Sequence, residues 1–143
     1  FSGALVTKSV PQAITASTNT LITFDTESYG FDTNSYHDNT TNNQRLTVPT
    51  AGYYRISGQV TLDASASGYR NMTLLKNGAT TLVAYSMGPN SVDWTYIPFT
   101  FTALLAASDY LTLSVFYSGA NPNIQGNNSY VAVTNFSAQF LGA

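Results

Sequence analysis

Residues 45–63 read RLTVPTAGYYRISGQVTLD, and no other stretch limits the fold as strongly. Pro49 and Gly52 set a corner, after which apolar and polar side chains alternate for eleven residues. Tyr54, Ile56, Val60 and Leu62 fall on one face, and Tyr53, Arg55, Ser57, Gln59 and Thr61 on the other. A period of two over this length is that of a β-strand with one buried and one polar face.

Shorter runs of the same kind follow each other along the chain. Strands are expected over residues 4–7, 21–24, 53–63, 72–75, 81–85, 94–103, 110–117 and 129–141. Between them stand the turn signals Tyr29-Gly30, Asn77-Gly78, Gly88-Pro89-Asn90 and Gly119-Ala120-Asn121-Pro122. Asn77-Gly78 reads as the turn of a hairpin joining 72–75 to 81–85. In 94–103, Ile97, Phe99 and Phe101 share one face, while Pro98 demotes the strand to an edge or a bulge. In 110–117, Leu111, Leu113 and Val115 alternate with Thr112 and Ser114. These two triplets, with Phe24, Tyr54, Ile56, Phe136 and Phe140, make up the expected core. Thr, Ser, Asn, Tyr, Val and Phe dominate, leucine-rich helical periodicity is missing, and 143 residues suffice for one domain with a real core. The expected fold is therefore all-β, a jelly-roll β-sandwich of two antiparallel sheets spanning 1–143 as a single domain.

Charge and residue inventory narrow the function. Charged residues are 8% of the chain, the net charge is -2, and the five basic residues Lys8, Arg45, Arg55, Arg70 and Lys76 are scattered. Nucleic-acid binding needs a clustered basic face, so nucleic acid and anionic membrane are not expected partners. No apolar run reaches the length of a membrane span, so membrane insertion is not expected either. There is no Cys, which removes disulfides and thiolate metal sites. The chain starts at Phe1 without Met and is expected to be an excised or mature piece, the C-terminal head of a longer chain.

An enzyme reading fails on inventory. The one His, His37, lies in a loop rich in Ser, Thr and Asn with no nucleophile elbow in the chain, and is read as a solvated loop residue. The seven acids show no spacing that singles out a catalytic pair. Asp32, Asn34, Asp38 and Asn39 offer oxygen ligands within one short loop, which makes Asp32 and Asp38 candidate ligands for calcium. Their spacing is not that of an EF-hand, and Asn-rich turns take this form without metal, so no other cofactor is expected. Four sequons, at Asn39, Asn71, Asn127 and Asn135, are what chance gives in so Asn- and Thr-rich a chain, and no glycosylation is inferred.

Aromatic residues are the better clue. Ten Tyr and one Trp exceed what a core of this size needs, and Tyr and Trp keep a polar tip suited to a surface. Such rings pack between subunits or stack on the apolar face of a sugar, with Asn and Asp bonding the hydroxyls. The loops 87–93 and 118–128 are the expected recognition surface. Trp94, Asn121, Asn123 and Tyr130 are the candidate ligand-binding residues.

The order of short motifs resembles the C1q/TNF-like domain family. Phe24-Asp25, Tyr36, Leu46, Pro49, Gly52, Tyr54 and Ile56 stand where that family has an apolar run ending in Phe-Asp, a Tyr-Asp-like loop, a Phe-x-x-Pro corner and Gly-x-Tyr-x-Phe. Leu46 and Ile56 replace Phe, keeping an apolar group. LLKNGA at 74–79 looks like the family's Lys-Asn-Gly hairpin, and SDYLTLSVFY at 108–117 its Gly-Asp-x-Val-x-Leu strand, with Ser108 for Gly. NFSAQFLGA is similar to the closing Phe-Ser-Gly-Phe-Leu-Leu, with Ala138 and Gln139 for the Gly and second Phe.

The resemblance implies a homotrimer. The sheet that holds the first, central and last strands would face the threefold axis, with Tyr53, Arg55 and Gln59 as trimer-interface residues. It further implies a compact head on a fibrous stalk that binds a cell-surface glycan or protein receptor. With no Gly-X-Y segment and little charge, the chain looks like the bacterial or bacteriophage kind of member, on a virion surface or extracellular at the cell surface. The first expectation is a non-enzymatic trimeric knob of a virion fibre or bacterial surface filament that attaches to carbohydrate. The alternative is a purely structural trimerisation or decoration module without a small-molecule ligand. A depolymerase or esterase of surface glycans ranks last, for want of a catalytic set.

Overall fold

The computed structural model describes residues 1–119, 122–126 and 133–143, the side chains of 28–30 excepted. Twelve strands are described: β1 (Gly3–Thr7), β2 (Gln12–Ala13), β3 (Thr20–Leu21), β4 (Thr26–Asp32), β5 (Arg45–Thr47), β6 (Gly52–Leu62), β7 (Arg70–Lys76), β8 (Thr80–Met87), β9 (Thr95–Leu105), β10 (Tyr110–Tyr117), β11 (Asn123–Ile124) and β12 (Asn135–Gly142). They form two antiparallel sheets of an all-β jelly-roll sandwich. The first runs β4-β1-β12-β6-β9, with β11 continuing beyond β12 along β6 and β2 outside β11. The second runs β8-β7-β10, and β3 and β5 share the far edge of β10.

The alternation of β6 turns directly into burial. Tyr54, Ile56, Val60 and Leu62 are buried, while Tyr53 and Arg55 are exposed. Facing them across the sandwich, Met72 and Leu74 of β7 and Leu111, Leu113 and Val115 of β10 are buried as well. Phe136 of β12 joins the layers, its ring 5.6 Å from Phe24 and 6.3 Å from Phe99. Each such side chain withdrawn from water contributes about 1.5–3 kcal/mol. The corner before β6 closes with the Tyr54 hydroxyl donating to the Thr50 carbonyl at 2.7 Å. Phe101 and Phe140, expected in the core, are only partly buried against its margin.

Pro98 sits on β9, which among the described strands pairs with β6 alone and is therefore an edge. The register from Gly52↔Leu105 to Leu62↔Thr95 is unbroken through Gln59↔Pro98, so the edge alone accommodates the missing N–H. Three expectations need correction. The strand over 21–24 stops at Leu21, because the chain there leaves β10 to reach β1 in the other sheet; Ile22 and Phe24 remain buried outside any strand. β4 was not expected, and it forms because β1 offers it an edge. The last strand starts at Asn135, and the 129–132 part of the expected 129–141 run lies outside the described residues.

Candidate functional site

Strand registers bring three loops to one end of the sandwich. In the second sheet Met87, Arg70 and Tyr117 lie side by side, and in the first Thr95, Leu62 and Ile124 do. The connections leaving those residues, 63–69, 88–94 and the start of 118–122, therefore share that end. A cleft of about 500 Å³ opens there, lined by Met87 to Asn90 and Trp94 to Tyr96.

The loop 88–94 is built by its own polar groups. Asn90 Oδ1 accepts the Val92 N–H at 3.2 Å and the Asp93 N–H at 3.4 Å, and Asp93 Oδ1 accepts the Trp94 N–H at 2.7 Å. Its main chain is tied to the neighbouring loop by the Ser65 N–H, which donates to the Asn90 carbonyl at 2.6 Å. Trp94 and Tyr96 then flank the cleft, with ring centroids 6.5 Å apart and planes 52° to each other.

Beneath the loop lies Arg70, which is completely buried. Its Nη1 donates to the Gly88 carbonyl at 2.8 Å and its Nη2 to the Ser65 carbonyl at 3.2 Å and the Asp63 carbonyl at 3.5 Å, while the guanidinium stands 5.2 Å above the Tyr117 ring. The Tyr117 hydroxyl in turn lies 2.5 Å from both Ser65 Oγ and the Ser67 carbonyl. One cation thus joins the loops 63–69 and 88–94 and the end of β10. Sequence reading missed this role, although the signal was there. Arg70, Met72 and Leu74 share the parity that faces the core.

The other ligand candidates fare differently. The Asn123 N–H and its Nδ2 both donate to Asp63 Oδ2, at 2.9 and 3.0 Å, and Gln125 Nε2 bonds Asp63 Oδ1. Asn123 is thereby part of the framework that holds β11 to the end of β6. Asn121 and Tyr130 lie outside the described residues.

The loop from Thr33 to Gln44 shapes a second cleft of about 460 Å³ near Tyr36, Asp38 and Arg45. Both candidate metal ligands serve as loop caps. Asp32 accepts the N–H groups of Asn34, Tyr36 and His37, and Asp38 Oδ1 accepts the N–H groups of Thr40 and Thr41 and the Thr40 hydroxyl. Among the described residues no three His, Asp or Glu side chains gather as a metal ion needs. His37 corrects the sequence reading, for its side chain has no exposed surface and its Nε2 bonds the Asn43 carbonyl at 3.0 Å. The bonds that close the loop draw the ring inward.

On the outer face of the first sheet, Tyr53 is 50% exposed beside Leu104 at 63%, its register partner on β9. Arg55 lies between Thr102 and Gln139. Gln59 is half-buried, its Nε2 donating to the Val133 carbonyl at 3.0 Å. No protein-family model and no curated protein matches this chain.

Proposed function

We propose that this chain is a C1q/TNF-like trimeric head, carried on a virion fibre or bacterial surface filament, that attaches without catalysis to a cell-surface receptor of carbohydrate nature. The outer face of the first sheet carries the reading. That sheet contains β1, β6 and β12, the first, central and last major strands, which the resemblance would set against a threefold axis. Its outer face leaves Tyr53, Leu104 and Leu141 at least half exposed at one end, and Phe1 packs edge-on against Phe31 on the margin. Apolar groups gathered on one face are the mark of an interaction surface. A heterologous contact repeated about a threefold axis closes into a ring and leaves no copy of the face uncovered. Arg55 supplies a polar contact beside Tyr53, whereas Gln59 contributes less because Val133 already holds its amide nitrogen.

Tyr53→Ala combined with Leu104→Asp tests the assignment of the face. The double variant is expected to fall to the 15.3 kDa mass of one chain with an unchanged far-ultraviolet dichroism spectrum. A variant that keeps the mass of the parent would contradict it.

A further inference from the structure

Tyr96 of the cleft pairs with Thr61 on the same outer face as Tyr53 but about 26 Å along β6, at roughly 3.3 Å per residue, so the cleft beside Trp94 stays open when the threefold contact is confined to the Tyr53 end. We propose that this cleft is a sugar-binding subsite, in which Trp94 takes the apolar face of a neutral pyranose ring, and that Arg70 is the residue that positions it. The proposal rests on the attachment reading for its biological sense, although its geometry is independent of the trimer.

The cleft has the features such a ligand needs. Two aromatic rings stand at its side, and among the described residues no charged side chain lines it. Its volume falls in the range of small-ligand sites, and an apolar platform with few polar groups is their usual make-up. Thr95, between the two aromatic residues in the chain, is 4% exposed and has the inward parity of Ile97 and Phe99, so it closes the floor of the cleft while Tyr96 points outward.

Arg70 explains how the platform is held. A buried cation costs desolvation that paired charges only partly recover, and no carboxylate lies within 4.0 Å of this guanidinium among the described residues. Met or Leu would fill the position as they do at 72 and 74 of the same strand. What the guanidinium adds is a fork that fixes the Gly88 carbonyl at the cleft against Ser65 and Asp63 in the neighbouring loop. The set of the loop at Gly88 constrains where Trp94, six residues on, presents its ring.

Trp94 is the only Trp in the chain, so its fluorescence reports this cleft alone. The full chain would be titrated with methyl glycosides of mannose, galactose, glucose and N-acetylglucosamine. At least one is expected to change the Trp94 emission saturably, and in saturation-transfer NMR its binding should weaken about tenfold in Trp94→Ala. Arg70→Met is expected to shift the emission before any sugar is added and to weaken the sugar about tenfold at unchanged solution mass. Arg70→Lys, which keeps the charge but not the fork, should retain the fold and weaken the sugar several-fold, and it carries the test if the Met variant does not fold. No response to any of the four glycosides, or equal binding by Trp94→Ala, overturns the subsite. Unchanged emission and affinity in the Arg70 variants overturn the positioning role. A trimer without a sugar response removes the subsite and leaves the assembly standing, whereas a monomer that binds sugar does the reverse.

Discussion

Gly52 begins β6 at φ +151°, where a side chain is strained, and an added Cβ would meet the Gly142 carbonyl and the Phe140 ring. Gly52→Ala is therefore expected to lower the unfolding free energy by about 2 kcal/mol or more, measured by urea denaturation. Asp38 gives a prediction of a different kind. The Thr41 N–H, then the N–H and hydroxyl of Thr40, lower its carboxyl from 3.8 to about 2. Asp109 is lowered as well, first by the Asn77 amide and then by the Ala106 N–H. A carboxyl depressed in the folded chain stabilises it above the unfolded value and loses that contribution as pH falls. The melting temperature should accordingly drop between about pH 4 and pH 2, and Asp38→Asn should flatten part of that slope. A slope unaltered in Asp38→Asn would count against the cap. At this scale the sequence showed the corner at Gly52 clearly. It did not show that Asn123 belongs to Asp63 or that Arg70 is buried, since both depend on which loops meet at the end of the sandwich.

Among the elements, the β7–β8 hairpin shows how local chemistry and tertiary contact combine. Asn77 and Gly78 take φ +53° and +70°, and a third residue, Ala79, completes the connection between Lys76 and Thr80. Asn77 Nδ2 donates to Asp109 Oδ1 at 2.7 Å, and Asn77 Oδ1 accepts the Tyr110 N–H at 2.9 Å, which docks the turn on the start of β10. Asn77→Ala removes both bonds and places a less tolerant residue at positive φ. It should cost about 1–3 kcal/mol in a denaturant titration, and Asn77→Gly, which keeps the backbone freedom, should lose less. β6, β9 and the hairpin were legible because each carries its own alternation or turn signal. β4 was not, since TESYGFD has no such pattern and becomes a strand only because β1 lies beside it. In β10, Thr112 and Ser114 are 2% and 4% exposed despite their outward parity, because strands flank β10 on both sides and small hydroxyl side chains sink between their neighbours.

For the molecule as a whole, the two sheets divide the work. The inner faces and the corner at Gly52 make a core that needs no disulfide, the end near Arg70 presents a fixed aromatic cleft, and the outer face around Tyr53 and Leu104 is left apolar. The expectation of a trimer comes from the resemblance and the excess of Tyr, whereas the partner of Tyr53 on that face, Leu104, comes from the β6–β9 register. The central claim is that this face joins three copies. Light scattering coupled to size exclusion tests it most directly. A stable particle of about three times the 15.3 kDa chain mass is expected at every concentration loaded. A particle of one chain mass under the same conditions would contradict it.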